Sequence, residues 1–567
     1  MISSPSRPAS SRPRSSSPRW LSSALAAAVA AAAWLVFRRS LGGAFLQWDD
    51  DINVVNNPHV HALGWANLRW MFSDVQYMRR YLPLGWLRWA ADYAAFGPDP
   101  RPFHLGNLLF HAADAALLFA AIRALLRRGS AAAAASPVAV DLCAALGALS
   151  WAIHPLRAEA VAWISTGQYC QAVCFLLLSL LAYLAAADRA RAPLLRAAAL
   201  AAFAASLLSY PAALGYPAAL LVLDALVLGR CREPGGWRRV LWEKVPYAVV
   251  TGIVLAATLA SRYGARGIWT PPPMLAQFGL GARLMQAAYV WAYFLWKPLL
   301  PFHLAPVYTT LVAFDPLSWP FVASALGVLG LTAVLICRRR RWPAALAAWL
   351  CHLVLLVPML GLTEHPHYAS DRYVYLASLG GSAALAGALL WLWPRPARRW
   401  TALAAAVLLL GCAARASAAQ VAIWRDSETL FQAMLARLGP DPYRYDILLR
   451  LGRLREGDGR LPAAEGAFRQ ALGARPGEAE ARGRLGLVLF EEGRAAEAEP
   501  YLGPAARLGP ENSDAQAALI AGLLRSGLGH EALEFARAAV RLQPNVPEAR
   551  ANLDLTLRAL GRPSGGP

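Results

Sequence analysis

Three carboxylates stand in a row at Asp49, Asp50 and Asp51, shortly beyond an apolar run, and Asn53, Asn56, Asn57, Pro58, His59 and His61 follow them. A carboxylate held against a membrane face can take a proton from an acceptor hydroxyl or ligate a cation. Adjacent like charges raise at least one pKa, which helps the first role. The same residues also suit a solvated turn beside a membrane helix, and both readings stand at this point. Two further polar clusters sit at the ends of apolar runs. One comprises Trp151, His154, Pro155, Arg157, Glu159 and Trp163; the other comprises Glu364, His365, His367, Asp371, Arg372, Tyr373 and Tyr375. Ionisable groups at membrane depth are costly and often line a pathway. His365 and His367 have no third ligand at zinc spacing, and the seven cysteines form neither a zinc pattern nor a disulfide framework.

The elements that must position these residues are apolar. The chain is 57% hydrophobic, which is too much for several soluble domains. Apolar runs cover about 20–37, 105–126, 138–155, 170–187, 193–209, 212–229, 245–262, 319–337, 343–362, 373–393 and 400–418. Arginine-rich turns separate them, which reads as a polytopic membrane bundle of about eleven spans. The net charge of +20 is concentrated at the ends of these runs, so it argues for a membrane and against nucleic acid. Only Lys244 and Lys297 are lysines, a skew that reads as base composition. Arg7, Arg12, Arg14 and Arg19 favour a cytoplasmic N-terminus, which puts the loop 40–103 outside. Residues 282–300 would break the alternation of basic turns, so they are expected to be interfacial or re-entrant. An odd span count then places the C-terminal region on the extracytoplasmic side.

That region has a period. Pro442, Pro476, Pro510 and Pro544 stand 34 residues apart, as do Gly459, Gly493, Gly527 and Gly561. Leu451, Leu485, Leu519 and Leu553 keep the phase, with Ala464, Ala498, Ala532 and Ala471, Ala505, Ala539. This is the spacing of tetratricopeptide repeats, in which small residues let antiparallel helices approach and proline stops the second helix. Stacked pairs make a solenoid with a concave groove that suits a peptide. The expected organisation is a basic tail 1–19, a membrane domain 20–420, a connecting or capping helix in 421–444, repeats over 445–560 and a tail 561–567. The fold class is therefore all-α.

Several stretches together resemble a family. They are Trp48-Asp49-Asp50 leading to Asn57-Pro58-His59-Val60, then Tyr81-Leu82-Pro83-Leu84, Phe103 to His111, His154-Pro155-Leu156 through Glu159 to Trp163, Asp371 to Leu376, and Trp424 to Phe431. The pattern is similar to bacterial polytopic tetratricopeptide proteins related to the transmembrane-and-tetratricopeptide O-mannosyltransferases, and it covers the chain after residue 40. The resemblance implies a GT-C-type glycosyltransferase that moves a mannose-like sugar from a polyprenyl-phosphate donor to a protein or envelope acceptor on the outer face of a bacterial inner membrane. It implies a catalytic base at Asp50 or Asp49, and donor or acceptor contacts from His154, Arg157, Glu159, Arg372 and Tyr375. No nucleotide-binding loop is present. No cofactor is required beyond the lipid-linked sugar, though the resemblance admits a divalent cation. The chain departs from the family at Tyr210-Pro211, where relatives carry lysine before the proline, and at Thr166-Gly167-Gln168-Tyr169, where relatives carry charge. Arg79, Arg80, Arg157 and Arg372 are the candidates to replace those charges. A second reading is a membrane-anchored repeat scaffold that has lost catalysis.

Overall fold

The computed structural model describes residues 18–129, 135–187, 192–264, 273–494, 497–498, 500–501, 513–525, 527–542 and 546–562. The expected tail over 1–17, the Arg189 and Arg191 turn, the repeat positions Ala505, Pro510 and Pro544, and residues 563–567 lie outside these. Among the described residues all regular structure is helical, and no strand occurs.

Among the described residues six helices are long and apolar enough to cross a membrane, or eight if each of two bent helix pairs is one span. The helices Pro193–Ser209, Tyr216–Leu226 and Pro343–Met359 are apolar but shorter. The expected count of about eleven is thus reached only if these short helices also cross, and length alone supports six to eight. α1 (Arg19–Phe37) buries Val29, Ala33 and Phe37, one residue per turn, and packs this narrow stripe on α4 (Pro100–Arg128). The small residues let the two helices lie close. Asp99 caps α4 by accepting a hydrogen bond from the Arg101 N–H at 3.0 Å, with proline at the first helical position. α5 (Pro137–Ala152) stops before Pro155, and a second short helix, α6 (Ala158–Ala162), leaves at a bend of 57°. α7 (Gln168–Ala187) and α8 (Pro193–Ser209) form an antiparallel hairpin against α4 and against α10 (Gly236–Tyr263). The segment expected to be interfacial contains a helix, α11 (Leu280–Trp296), packed on α12 (Trp319–Cys337). α13 (Pro343–Leu356) packs on α9 (Tyr216–Val222) and on α15 (Leu379–Leu392), which the short α14 (Val374–Ala377) precedes. α16 (Pro396–Ile423) then leads out of the bundle.

The expectation of a loop over 40–103 needs correction, because this stretch is a folded cap. It holds α2 (Trp65–Ser73), α3 (Pro83–Phe96) and a core of Val54, Val60, Met71, Leu82, Trp86, Trp89 and Phe103. Trp70 packs on Tyr77 and Trp86, His59 stacks on Trp70 at 4.2 Å, and His61 stacks on Tyr93 at 4.2 Å. So many rings in so short a stretch supply enough apolar area for a core of their own.

The repeat helices keep the period to within one residue: Arg444–Gly457, Ala479–Glu491, Ser513–Arg525 and Pro547–Ala559 start 35, 34 and 34 residues apart, and Leu461–Ala474 and Gly529–Leu542 follow the first and third of them. Gly459, Gly493, Gly527 and Gly561 all have φ between 65° and 78°, the left-handed region that glycine enters without strain. Ala464, Ala471, Ala498, Ala532 and Ala539 are fully buried where helices meet. The solenoid is continuous with the bundle. α17 (Ser427–Leu438), capped by Asp426 at 2.8 Å, buries Leu430, Phe431 and Met434 in the core shared with the membrane helices, as do Ile447 and Leu451 of the first repeat.

Candidate functional site

The acidic triplet lies where cap, bundle and solenoid meet. Asp50 is completely buried. Its Oδ1 accepts hydrogen bonds from the Ser165 N–H at 2.8 Å and hydroxyl at 2.5 Å, and its Oδ2 accepts from the Leu46 N–H at 3.0 Å. Burial pushes its pKa up to about 7 although these donors favour the charged form. Asn53 donates to the same Ser165 hydroxyl at 3.0 Å. Asp50 thus ties the acidic turn to the segment that starts α7, and its oxygens are taken.

Its neighbours differ. Asp49 has φ of 76°, and its side chain keeps 29% exposure while pairing with Arg80 at 3.2 Å. The turn that delivers Arg80 is also left-handed, at Met78 (φ 52°) and Arg79 (φ 53°). Left-handed backbone at residues with a Cβ costs on the order of 1 kcal/mol each, and such strain gathers at functional sites. Two strained turns therefore meet at one ion pair. Burial also raises the Asp51 carboxyl, and its Oδ1 makes no hydrogen bond. Of the three, Asp49 is the carboxylate with an exposed side chain and an oxygen outside its ion pair, while the unpartnered Asp51 oxygen is buried.

Behind this turn, the fully buried segment 158–164 carries Glu159. Its carboxylate pairs with the Arg372 guanidinium and accepts from the Arg372 N–H at 3.1 Å. Arg372 lies over the rings of Trp163 and Tyr373, and Trp163 stacks on Trp424 at the root of the solenoid at 5.3 Å. Arg157 is 1% exposed; its Nη2 donates to the Ser378 hydroxyl at 2.7 Å, and its cation lies over Trp151 and Tyr375. Nε and Nη1 of Arg157 are buried without a hydrogen-bond partner among the described residues.

The structure therefore brings Glu159 and Arg372 into contact, with Asp49 and Asp50 linked to them through Ser165 and the chain between. His154 and Tyr375 are committed elsewhere. His154 Nδ1 accepts from the Leu156 N–H at 3.2 Å and Nε2 donates to the Pro298 carbonyl at 2.9 Å. The Tyr375 hydroxyl bonds His111 Nδ1 at 2.7 Å and Asp114 Oδ2 at 2.8 Å, deep between α4 and α5. His111, Asp114 and Cys170 have ligand atoms within 4.8 Å of one another, but that hydroxyl already bridges the first two without a metal. The Tyr210 ring packs on Tyr169 at 4.3 Å.

Sequence reasoning passed over Lys297. It is 3% exposed, donates to the Phe302 carbonyl at 2.7 Å, and sits among the rings of Tyr293, Trp296 and Tyr308. Tyr308 in turn donates to Asp371 at 2.9 Å. The signal was available: a lysine retained in a chain that otherwise uses arginine. Glu364 was placed with this face. Burial alone would raise its carboxyl, but a 2.9 Å hydrogen bond from His367 and the charges of His367, Arg262 and Arg79 hold it at about 2.

The solenoid reaches the acidic turn directly. The Arg450 cation lies 5.0 Å from the Trp48 ring centre, Trp48 packs on Phe431, the Ser427 hydroxyl accepts from the Gln47 N–H at 2.8 Å, and Thr309 donates to Asp441 at 2.6 Å.

A model of the tetratricopeptide repeat family matches residues 423–479, 449–503 and 484–547. The matches begin before α17, so that helix belongs to the repeat array. Such repeats commonly mediate contacts between proteins. A comparison with curated proteins finds no match.

Proposed function

We propose that this protein is a membrane glycosyltransferase that moves a mannose-like sugar from a polyprenyl-phosphate donor to a protein or envelope acceptor on the extracytoplasmic face of a bacterial inner membrane. The observation that carries the reading is the Asp49–Arg80 ion pair, held by two strained turns between the bundle and a peptide-sized solenoid. Asp49 is the accessible base, while Asp50 positions the turn that presents it. In the reaction the Asp49 carboxylate takes the acceptor hydroxyl proton, and the oxygen attacks the anomeric carbon. The bond from that carbon to the phosphate oxygen breaks, and polyprenyl phosphate leaves with the electron pair. Arg80 supplies a cationic donor to the phosphate, the buried Arg157 adds positive charge to the protein beneath it, and Arg372 with Glu159 keeps the floor of the site in place. The groove of the repeats presents the acceptor.

The test is glycoproteomics of a strain lacking the chain, complemented with wild type or Asp49→Asn. Transfer should fall by about 10²–10⁴-fold in the variant, with its thermal unfolding unchanged. Full transfer by the Asp49→Asn form would remove the base assignment. Undiminished transfer in the strain lacking the chain would remove the enzyme reading.

A scaffold that has lost catalysis is the second reading. It draws support from Tyr210, whose ring packs on Tyr169 where relatives carry a lysine. That reading expects the Asp49 variant to be silent and removal of a partner-binding repeat face to be felt.

A further inference from the structure

A cavity lies away from the acidic turn. It has a volume of about 530 Å³ and is walled by α7, α8 and α10, with Arg196, Arg230, Arg239, Trp242, Glu243 and Tyr247 among its lining. Its place follows from the hairpin. α7 begins just after Ser165, the partner of Asp50, and the cavity touches Ala186 and Ala187 at its other end. Twenty helical residues rise ~30 Å, the thickness of a bilayer core, so the cavity and the acidic turn sit at opposite ends of the bundle.

Its chemistry is divided. The inner wall is a closed ionic network. Arg230 binds Glu243 through both oxygens at 2.7 and 2.8 Å and Asp224 at 3.0 Å. Lys244 binds Asp224 at 2.7 Å and the Tyr183 oxygen at 2.6 Å, and Tyr183 donates to Asp224. These charges neutralise one another and make a rigid floor. The rim is different. Arg196 is exposed and forms no ion pair with a described residue, and Arg239 has only a loose 3.4 Å pair with Glu233, both side chains being more than half exposed. The remaining lining is apolar or aromatic: Leu200, Ala197, Pro246 and Trp242, the last 67% exposed.

We infer that this cavity binds the phosphodiester headgroup of an anionic glycerophospholipid in the leaflet opposite the acidic cap. The two rim guanidiniums hold the phosphate, Trp242 lies at the headgroup level, and the acyl chains run along the apolar surface between α8 and α10. Arginine pairs with phosphate oxygens through its planar fork, and tryptophan prefers the membrane interface. Free phosphate would satisfy the guanidiniums but not the apolar wall. The inference rests on the bundle crossing a bilayer and is independent of the transferase reading.

The experiment is native mass spectrometry of the full chain in detergent, with phosphatidylglycerol, phosphatidylcholine or inorganic phosphate added. Phosphatidylglycerol should be retained about tenfold better than phosphatidylcholine, and an Arg196→Gln, Arg239→Gln double variant should lose about that factor. An Arg338→Gln, Arg341→Gln variant, altered at exposed arginines outside the cavity, should retain the lipid, as should Asp49→Asn. Thermal unfolding of the rim variant should match wild type, since its altered side chains are exposed. Equal retention of the zwitterionic lipid would overturn the site, as would equal loss in the Arg338, Arg341 control. Displacement of the lipid by millimolar phosphate would overturn the lipid as its ligand and leave a simple anion site.

Discussion

The bundle and the solenoid are both helical, yet their polar contacts have different ranges. In the bundle, Asp50 meets Ser165 across 115 residues of sequence, Glu159 meets Arg372 across 213, and the Trp151 indole donates to the Tyr375 carbonyl across 224. Those groups are buried except Arg372, which keeps 17% side-chain exposure. In the solenoid, Arg469 meets Glu465 four residues away, Arg494 meets Glu497 three away, and Glu428 reaches Arg455 and Arg460 at 27 and 32. That is no more than one repeat, and most of these groups are at the surface. The difference teaches where each half stores its specificity. The solenoid repeats one apolar step and adds weak surface pairs. The bundle depends on single buried contacts with no second copy.

The sharpest way to probe this contrast is Glu159→Gln. It leaves Arg372 buried without its counter-charge, which costs ~3–5 kcal/mol, so the unfolding midpoint of the full chain in detergent should drop steeply. A drop no larger than that of a surface variant would break the distinction between the two halves.

The next effect is in pH. The folded state lifts Asp50 from its ordinary 3.8 to about 7, so it binds a proton that the unfolded chain has released. Stability must therefore decline as pH rises from about 4 to about 7, by on the order of 4 kcal/mol. Asp50→Asn should flatten that part of the thermal-unfolding profile; an unchanged slope would mean that another group carries it.

The smallest effect belongs to the solenoid. Glu428→Gln weakens the pairs with Arg455 and Arg460, whose exposure limits the loss to about 1 kcal/mol or less. A larger shift in midpoint would show that the root of the solenoid behaves like the bundle.

The same difference in range decides what the chain discloses before folding. The repeats are legible because Gly459, Gly493, Gly527 and Gly561 say the same thing four times. The membrane helices are legible because α1, α4 and α12 are long apolar runs. The cap is not, because Trp70, Tyr77, Trp86 and Trp89 follow no period and their meeting depends on the turns between them. At the candidate site, the residue types at Asp49, Asp50, Glu159 and Arg372 were visible, and so was their place near helix ends. Their division of labour was not: nothing in three consecutive aspartates tells that the middle one is walled in and the first one left open. Likewise His154 and Tyr375 look like ligands in sequence, and only the Pro298 carbonyl and the His111–Asp114 pair show what occupies them. His111 and Asp114, three residues apart within an apolar run, were the overlooked cue to that inner contact.

The continuity of α17 and the first repeat with the bundle core sets the mechanics of the whole molecule. Leu430, Phe431, Met434, Ile447 and Leu451 are cemented into the membrane half, so the array is cantilevered from a fixed root and does not hang on a tether. A partner held near the root would keep a constant register with the aspartate turn. A protease cut between the halves would not yield two intact pieces, since each would carry away an open wound of apolar surface.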